Sequence, residues 1–382
     1  MGSFEESYIA REKRFNDAVA LGRPDRVPIL SLLDFYPARC RGITVQTAMY
    51  DAETMRAAWT EAVQELEPDL CENPFPMRFL GRILEALDYR QLRWAGHGLE
   101  ADASYQFVET EYMKAEEYDA FLHDPTDFLV RVYWPRVCGA LAPLAKLPPM
   151  HAVISYYLGL GGLAALADPG LASAWTALRT AADEIVRMAG HARSFAEELK
   201  GLGFPMLAGS ATQVPFDTLG DFFRGTRGSM TDLFRRPEKV LAANEKLLPM
   251  MVRLGIEGAK RTGVPRVFIP LHRGLDGFLS DEQFARFYWP GMKELLLALI
   301  AEGLTPLVFV EGDFTSRLKY LADVPPGKVC YHFERTPIET AKAALRERAC
   351  VRGGVPLSLL ATGTPGEVRA LCRRLIETVG EG

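Results

Sequence analysis

The sequence predicts an α/β fold of the TIM (β/α)8 barrel type, with an N-terminal helical extension and an insertion over the barrel mouth. Three observations carry the prediction. From residue 204 onward, apolar runs of strand length alternate with helical stretches, as in parallel strands joined by helical crossovers. About eight strand candidates suit a closed barrel. No GxGxxG follows a first strand, which argues against a doubly wound dinucleotide-binding sheet.

Residues 5–21 read as a polar helix, the turn GRPDR follows, and VPILSLL (27–33) reads as a strand. Residues 45–66 read as helix, with Asp51 as N-cap of AETMRAAWTEAVQEL. DLCENPF (69–75) reads as another strand end. The 76–200 stretch is the least regular part and the candidate insertion or lid. Within it, ASYQFVETEYMKAEEYDAF suggests a hairpin and then a helix, and 171–200 a long helix carrying His191. Strands follow at 204–211, 266–271, 307–312, 328–334 and 349–355. Helices fill the gaps at 237–261, 281–303, 315–322 and 337–346, and a last one spans 365–379. Pro237 suits a first helical turn, and Ser280 with Gln283 forms a capping box. The whole chain, 1–382, reads as a single domain.

Composition excludes several function classes. Hydrophobic residues make up 48% of the 382, charged residues 24%, and the net charge is −5, an ordinary globular balance. No Lys/Arg block marks a nucleic-acid partner. No apolar stretch of about 18 residues predicts a membrane span. The N-terminus is charged from the start, without the apolar core of a signal peptide, so the expected location is cytoplasmic. Six scattered cysteines without a CxxC pair read as reduced thiols, and none is a candidate nucleophile.

Reacting groups of a barrel lie at the C-terminal ends of its strands. Three neighbouring strands end in His272, Glu311 and His332, and the next in Arg352-Gly353-Gly354, where bare backbone can approach a ligand. Alternation puts Phe309 with Glu311 on one face, and Cys330, His332 and Glu334 on another. A carboxylate with imidazoles suits zinc. A buried His332 bonded to Glu311 or Glu334, with a structural role, satisfies the same pattern. In QVPFDTLGDFFRGTRG (213–228), Asp217, Asp221 and Arg224 have ion-pair spacing. They are candidates to line the mouth, with Arg224 recognising a carboxylate or phosphate, or else a surface charge cluster. Asp276 precedes a helix at the mouth, and Asp313 suits an N-cap for the helix near Thr315. Tyr36, Phe314, Trp134 and Met77 are candidate walls of an apolar pocket, with ordinary core packing as the alternative.

The motifs GRPDRVP, PFDTLGDFFRG, SDEQFARFYWP, the Glu-Gly strand end, YHFE and GGVPLSLLATGTPGEV occur in this order. Together they resemble the uroporphyrinogen decarboxylase superfamily, over nearly the whole chain and most strongly over 213–379. The resemblance implies a TIM barrel. The Arg-rich MRQAGRY segment of the decarboxylases is absent, and LLDFYPARCRG stands there instead. The His-x-Cys zinc pair of the thiol-methylating branch is matched by Phe309 and Glu311. The chain is most similar to the methyl-removing enzymes of O-demethylase systems, whose zinc motif ends in Glu, twenty residues, then His. Glu311 and His332 have that spacing, while Leu296 stands where the motif has its first Glu and Glu294 is the nearest glutamate. This resemblance implies methyl transfer from a small donor, such as an aryl methyl ether, to cobalamin carried on a partner corrinoid protein. It implies zinc as Lewis acid, with Glu311, His332 and His272 as ligands or acid. A uroporphyrinogen-type decarboxylase and a non-catalytic corrinoid- or tetrapyrrole-binding protein are the rival readings, and homodimerisation is left open.

Overall fold

The computed structural model describes residues 2–153 and 157–380. Early in the chain, β1 (Leu92–Ala95), β2 (Gly98–Leu99) and β3 (Tyr105–Phe107) form a small outlying sheet. The main sheet holds β4 (Ser210–Ala211), β5 (Arg266–Leu271), β6 (Thr305–Val310), β7 (Cys330–Phe333) and β8 (Cys350–Gly353). These five run parallel and in sequential order. Two more segments extend the curve through parallel bridges, Leu30 to Leu70 and Cys71 to Met206. The stretch 204–211 serves both neighbours: Leu207 N–H donates to Cys71 O at 2.7 Å, and Gly209 N–H to Arg266 O at 2.9 Å. Across the remaining seam, Arg352 Nη2 donates to Leu30 O at 3.1 Å. Backbone bonds thus trace seven parallel segments among the described residues, a TIM-barrel-like core behind a helical N-terminal region.

Burial alternates along the strands in an informative sense. The helix-facing residues Val267, Ile269, Leu271, Val308, Val310, Tyr331 and Phe333 are all buried. Each contributes about 1.5–3 kcal/mol by leaving water. The inward-facing residues Phe268, Pro270, His272, Phe309, Glu311, His332, Glu334 and Arg352 all stay partly accessible. TIM barrels ordinarily fill their interior with side chains; in this TIM-barrel-like core the inward layer towards the strands' C-terminal ends stays partly accessible to water.

The floor of the lumen is closed. Helix Gly2–Val19 places Phe15 and Val19 against Leu70, Leu207, Leu307 and Cys330. Arg266, 1% exposed, clamps the helix through Glu12 at 2.7 and 2.8 Å and bonds the Met206 and Leu207 carbonyls. Buried Asp69 accepts from Arg14, Arg26 and the Ile29 N–H. That cluster explains the charge of the GRPDRVP turn.

Expected helices form with their expected caps. Asp51 accepts from Glu53 and Thr54 N–H, although it also splits the predicted 45–66 helix into Val45–Tyr50 and Ala52–Leu66. Ser280 and Gln283 form the capping box. The long helix spans Pro169–Gly201. Segment 91–113 lies beside the mouth: Met113 N–H donates to Phe223 O at 2.7 Å, and Gln91 Nε2 to Phe222 O at 3.0 Å. Among the described residues no helix is long and apolar enough to cross a membrane.

Candidate active site at the barrel mouth

The end of β5 is held by one buried carboxylate. Asp217, fully buried, accepts from His272 N–H at 3.1 Å, Arg273 N–H at 2.8 Å and Tyr288 O–H at 2.5 Å. Burial raises its pKa, opposed first by the charge of His272. Asp217 therefore fixes the backbone that presents the imidazole. The ring itself is oriented by Asp221, whose Oδ2 lies 2.6 Å from His272 Nδ1. Gln213 Nε2 reaches the same oxygen at 2.5 Å, and the Arg273 guanidinium contacts the other. Asp221 sits in a π-helical turn, Leu219–Arg224, a distortion common at functional sites. Gly220 lets Arg273 approach, since a Cβ there would lie 2.6 Å from Arg273 Nε.

With Nδ1 committed to a carboxylate, Nε2 is the free edge of His272. It faces Glu311 Oε1 at 3.7 Å. Burial raises the Glu311 pKa; His272 opposes the shift, and Glu334 and Asp217 add to it. Glu334 accepts the Gly312 N–H at 3.0 Å. A carboxylate that orients an imidazole whose other nitrogen faces a second acid can hold a cation or a proton between them.

One layer deeper lies an aromatic belt. The Phe268 and Phe309 centroids are 6.2 Å apart. Phe309 stacks on His332 at 4.7 Å with a 29° interplanar angle. His332 pairs in register with Phe309 on β6 and Arg352 on β8. Burial, and then the Arg352 charge, push the His332 pKa down to about 3. The ring is neutral, and its buried Nδ1 has no hydrogen-bond partner among the described residues.

Residues 186–382, just over half of the chain, match the family model described as Uroporphyrinogen decarboxylase (URO-D). The chain belongs to the URO-D family. No curated protein matches it. Among solved structures, a methyltransferase from Methanosarcina mazei is similar over 96% of this chain and 90% of its own, at 14% identity and a TM-score of 0.61. At that identity the likeness shows the fold.

In this URO-D family chain, the mouth brings together His272 and Glu311 of the expected site. His332 faces the same lumen from below, two residues short of the level of Glu334, which lies beside Glu311. Asp217 supports His272 from behind. Arg224 is 2% exposed and occupied: Asp232 lies at 2.6 Å, Glu111 at 3.0 Å, and the Met113 carbonyl at 2.5 Å. The carboxylates it binds are the protein's own. Phe314 is fully buried in the outer core, its ring 6.5 Å from Phe284. Tyr36 and Met77 are exposed, and Trp134 borders the outer core. Gly353 and Gly354 both take positive φ, +117° and +89°. Asp313 caps at Thr315 (2.9 Å), and Asp276 accepts the Ser316 N–H at 2.8 Å.

Gln213, Arg273 and Phe268 complete the lining, and Arg352 lies at the seam beside Leu30. Arg352 was within reach of sequence reasoning, because the alternation that aligned Cys330 with His332 aligns Cys350 with Arg352. The Arg273–Asp221 contact has no local signal. As to zinc, Glu311 and the free His272 Nε2 fit two ligand positions, with Asp221 as the usual outer carboxylate. His332 lies one layer below them, its Nδ1 buried and without a hydrogen-bond partner among the described residues. The described residues hold no group of three or more such side chains around one position.

Proposed function

We propose that this chain is a methyltransferase that takes a methyl group from a small aryl methyl ether and delivers it to a corrinoid protein. The observation that carries this reading is the His272–Glu311 pair, backed by Asp221, at the open end of an aromatic lumen. An aryl ether is inert because negative charge grows on its oxygen as the methyl leaves, so a donor placed at that oxygen lowers the barrier. Glu311, its pKa raised by burial, retains a proton more readily than an exposed glutamate and can pass it to the leaving phenolate. His272 accepts the role of proton relay, with Asp221 stabilising the imidazolium. Phe268, Phe309 and His332 hold the arene and exclude water. Cobalamin on the corrinoid partner would supply the nucleophile; zinc held by an ionised Glu311 and a neutral His272 would instead supply Lewis acidity at the ether oxygen, in place of the Glu311 proton.

The decarboxylase reading needs free cations for a many-carboxylate substrate. At this mouth Arg78 is paired with Asp34 (2.9 Å) and Glu72 (3.4 Å). Arg273 is paired with Asp221 and, at 3.9 Å, with Glu109. The test mixes the protein with cob(I)alamin and a panel of methoxyarenes and follows methylation by absorbance, with metal analysis alongside. Glu311→Gln is expected to slow transfer by about 10²–10⁴-fold. An unchanged rate in that variant, or conversion of uroporphyrinogen to coproporphyrinogen, overturns the reading.

A further inference from the structure

The seam of the barrel holds two thiols and a cation. Cys330 and Cys350 stand twenty positions apart in sequence, yet β7 and β8 pair in parallel with the two cysteines directly in register. Both are free thiols. Arg352 is the next residue on the same face of β8. Its guanidinium bonds Leu30 O across the seam at 3.1 Å. Burial disfavours its charge, and the two cysteine sulfurs are the first groups that favour it, ahead of Glu72. A cavity of about 230 Å³ reaches this group. Both cysteines, Lys342 and Arg352 line it, among apolar neighbours from helix Gly2–Val19 and the stretch 375–380. Val27 and Ile376, on the same wall, are exposed, so the cavity opens to water.

Buried cysteines are ordinarily inert, because burial in apolar surroundings disfavours the thiolate. At Cys330 burial is outweighed. The Cys350 thiol holds the Cys330 thiol below its ordinary range; burial opposes this, and the Arg352 charge adds to the lowering. Cys350 moves the other way, raised first by the Cys330 sulfur and then by burial. The pair is unequal, a ready thiolate beside a retained thiol. The sequence gave no sign of this, because only the strand register brings the two together.

We propose that Cys330 and Cys350 form a dithiol that small hydroperoxides oxidise to a disulfide, with Cys330 as the attacking sulfur, Cys350 as the resolving one and Arg352 as the activating cation. The inference stands apart from the methyl-transfer reading of the mouth. The Cys330 thiolate attacks the terminal oxygen of the hydroperoxide. The O–O bond breaks, the alcohol or water leaves with a proton from solvent, and Cys330 becomes a sulfenic acid. The Cys350 sulfur then displaces the hydroxyl, the S–O bond breaks, the S–S bond forms, and water leaves with the Cys350 proton. The two sulfurs give up two electrons, and the peroxide accepts them. Adjacent strands lie about 4.7–4.9 Å apart, inside the Cα separation of about 4.4–6.8 Å that a disulfide spans. β8 is the last strand of its sheet, and a side chain rather than a backbone ladder ties it to residue 30, which leaves it room for the small shift that joins the sulfurs.

The test treats the folded full chain with hydrogen peroxide or tert-butyl hydroperoxide, blocks remaining thiols with an alkylating reagent, and maps unreduced peptides by mass. Exposed Cys40 is the internal reference. A Cys330–Cys350 crosslink should form several-fold faster than Cys40 oxidises. In Cys350→Ala, where no resolving thiol remains, a sulfenic acid at Cys330 should be trapped by dimedone. In Arg352→Met the crosslink should form more slowly, and Arg352→Lys, which keeps the charge, should restore part of the rate. Oxidation of Cys40 ahead of the pair, a crosslink that appears only in urea, or dimedone capture at Cys350 instead of Cys330 in the wild-type chain overturns the proposal. So does a rate unchanged in Arg352→Met. The wild-type measurement alone decides the matter if the variants do not fold.

Discussion

At the scale of single residues, His332 shows how position sets chemistry. Its strand-end place was legible from alternation in KVCYHFE, but its charge state was not, because that depends on burial and on Arg352 from the next strand. The sign of the consequence follows by linkage. In the unfolded chain His332 titrates near 6.5, and in the folded chain at about 3. As pH falls below the unfolded value, the unfolded state takes up the proton first, so stability is lost between those two values and is unaffected above. The loss is at most about 1.4 kcal/mol per pH unit. In chelator-treated protein, His332→Phe should flatten the acid arm of a plot of urea midpoint against pH. An acid arm as steep as wild type would remove the account. Glu311 and His272 were likewise readable as strand ends. Asp221 was readable as a charge but not as the partner of His272, since the two meet only through folding.

At the scale of elements, helices were the more legible part, because caps and periodicity are local. Strands 27–33 and 69–75 shrink to bridges at Leu30, Leu70 and Cys71, since pairing is fixed by partners far along the chain. The π-helical turns Leu219–Arg224 and Phe284–Tyr288 left no sequence signal, although the first positions Asp221. The exit of β8 was legible as Gly-Gly, and the structure gives the reason. Gly353 has φ +117°, and a Cβ there would lie 2.2 Å from the Phe333 carbonyl oxygen and 3.1 Å from His332 Cδ2. Gly353→Ala should therefore cost about 2 kcal/mol or more and weaken binding in the lumen. Gly190, inside the long helix with nothing within 4 Å of its missing Cβ, is the contrasting site. Gly190→Ala should gain up to about 1 kcal/mol from helix propensity. Urea denaturation of both variants checks the pair, and equal effects would mean that backbone conformation does not govern the β8 exit.

At the scale of the whole molecule, the family match begins at residue 186, yet the lumen it encloses is closed from below by residues outside the match. Phe15 and Val19 cap the inner layer, and Glu12 reaches across 254 residues of sequence to Arg266. The N-terminal helix was legible as a helix, but its place under the barrel was not, because Arg266 reads in sequence as an ordinary strand-opening cation. The clamp makes a prediction about coupling. Glu12→Gln leaves Arg266, 2% exposed at its side chain, without its anion, while Glu12 itself is 21% exposed. Breaking a buried pair costs about 3–5 kcal/mol, and the partial exposure of Glu12 reduces this to about 2–3 kcal/mol. Arg266→Met leaves the more exposed Glu12 and loses the bonds to the Met206 and Leu207 carbonyls. With both changes no charge is left stranded, so the double variant should be more stable than the sum of the single losses predicts, by about 1–2 kcal/mol. A strictly additive cycle would show that packing of Phe15 and Val19, rather than the clamp, holds the floor. In that case amide exchange in helix Gly2–Val19 should rise in Phe15→Ala and stay unchanged in Glu12→Gln.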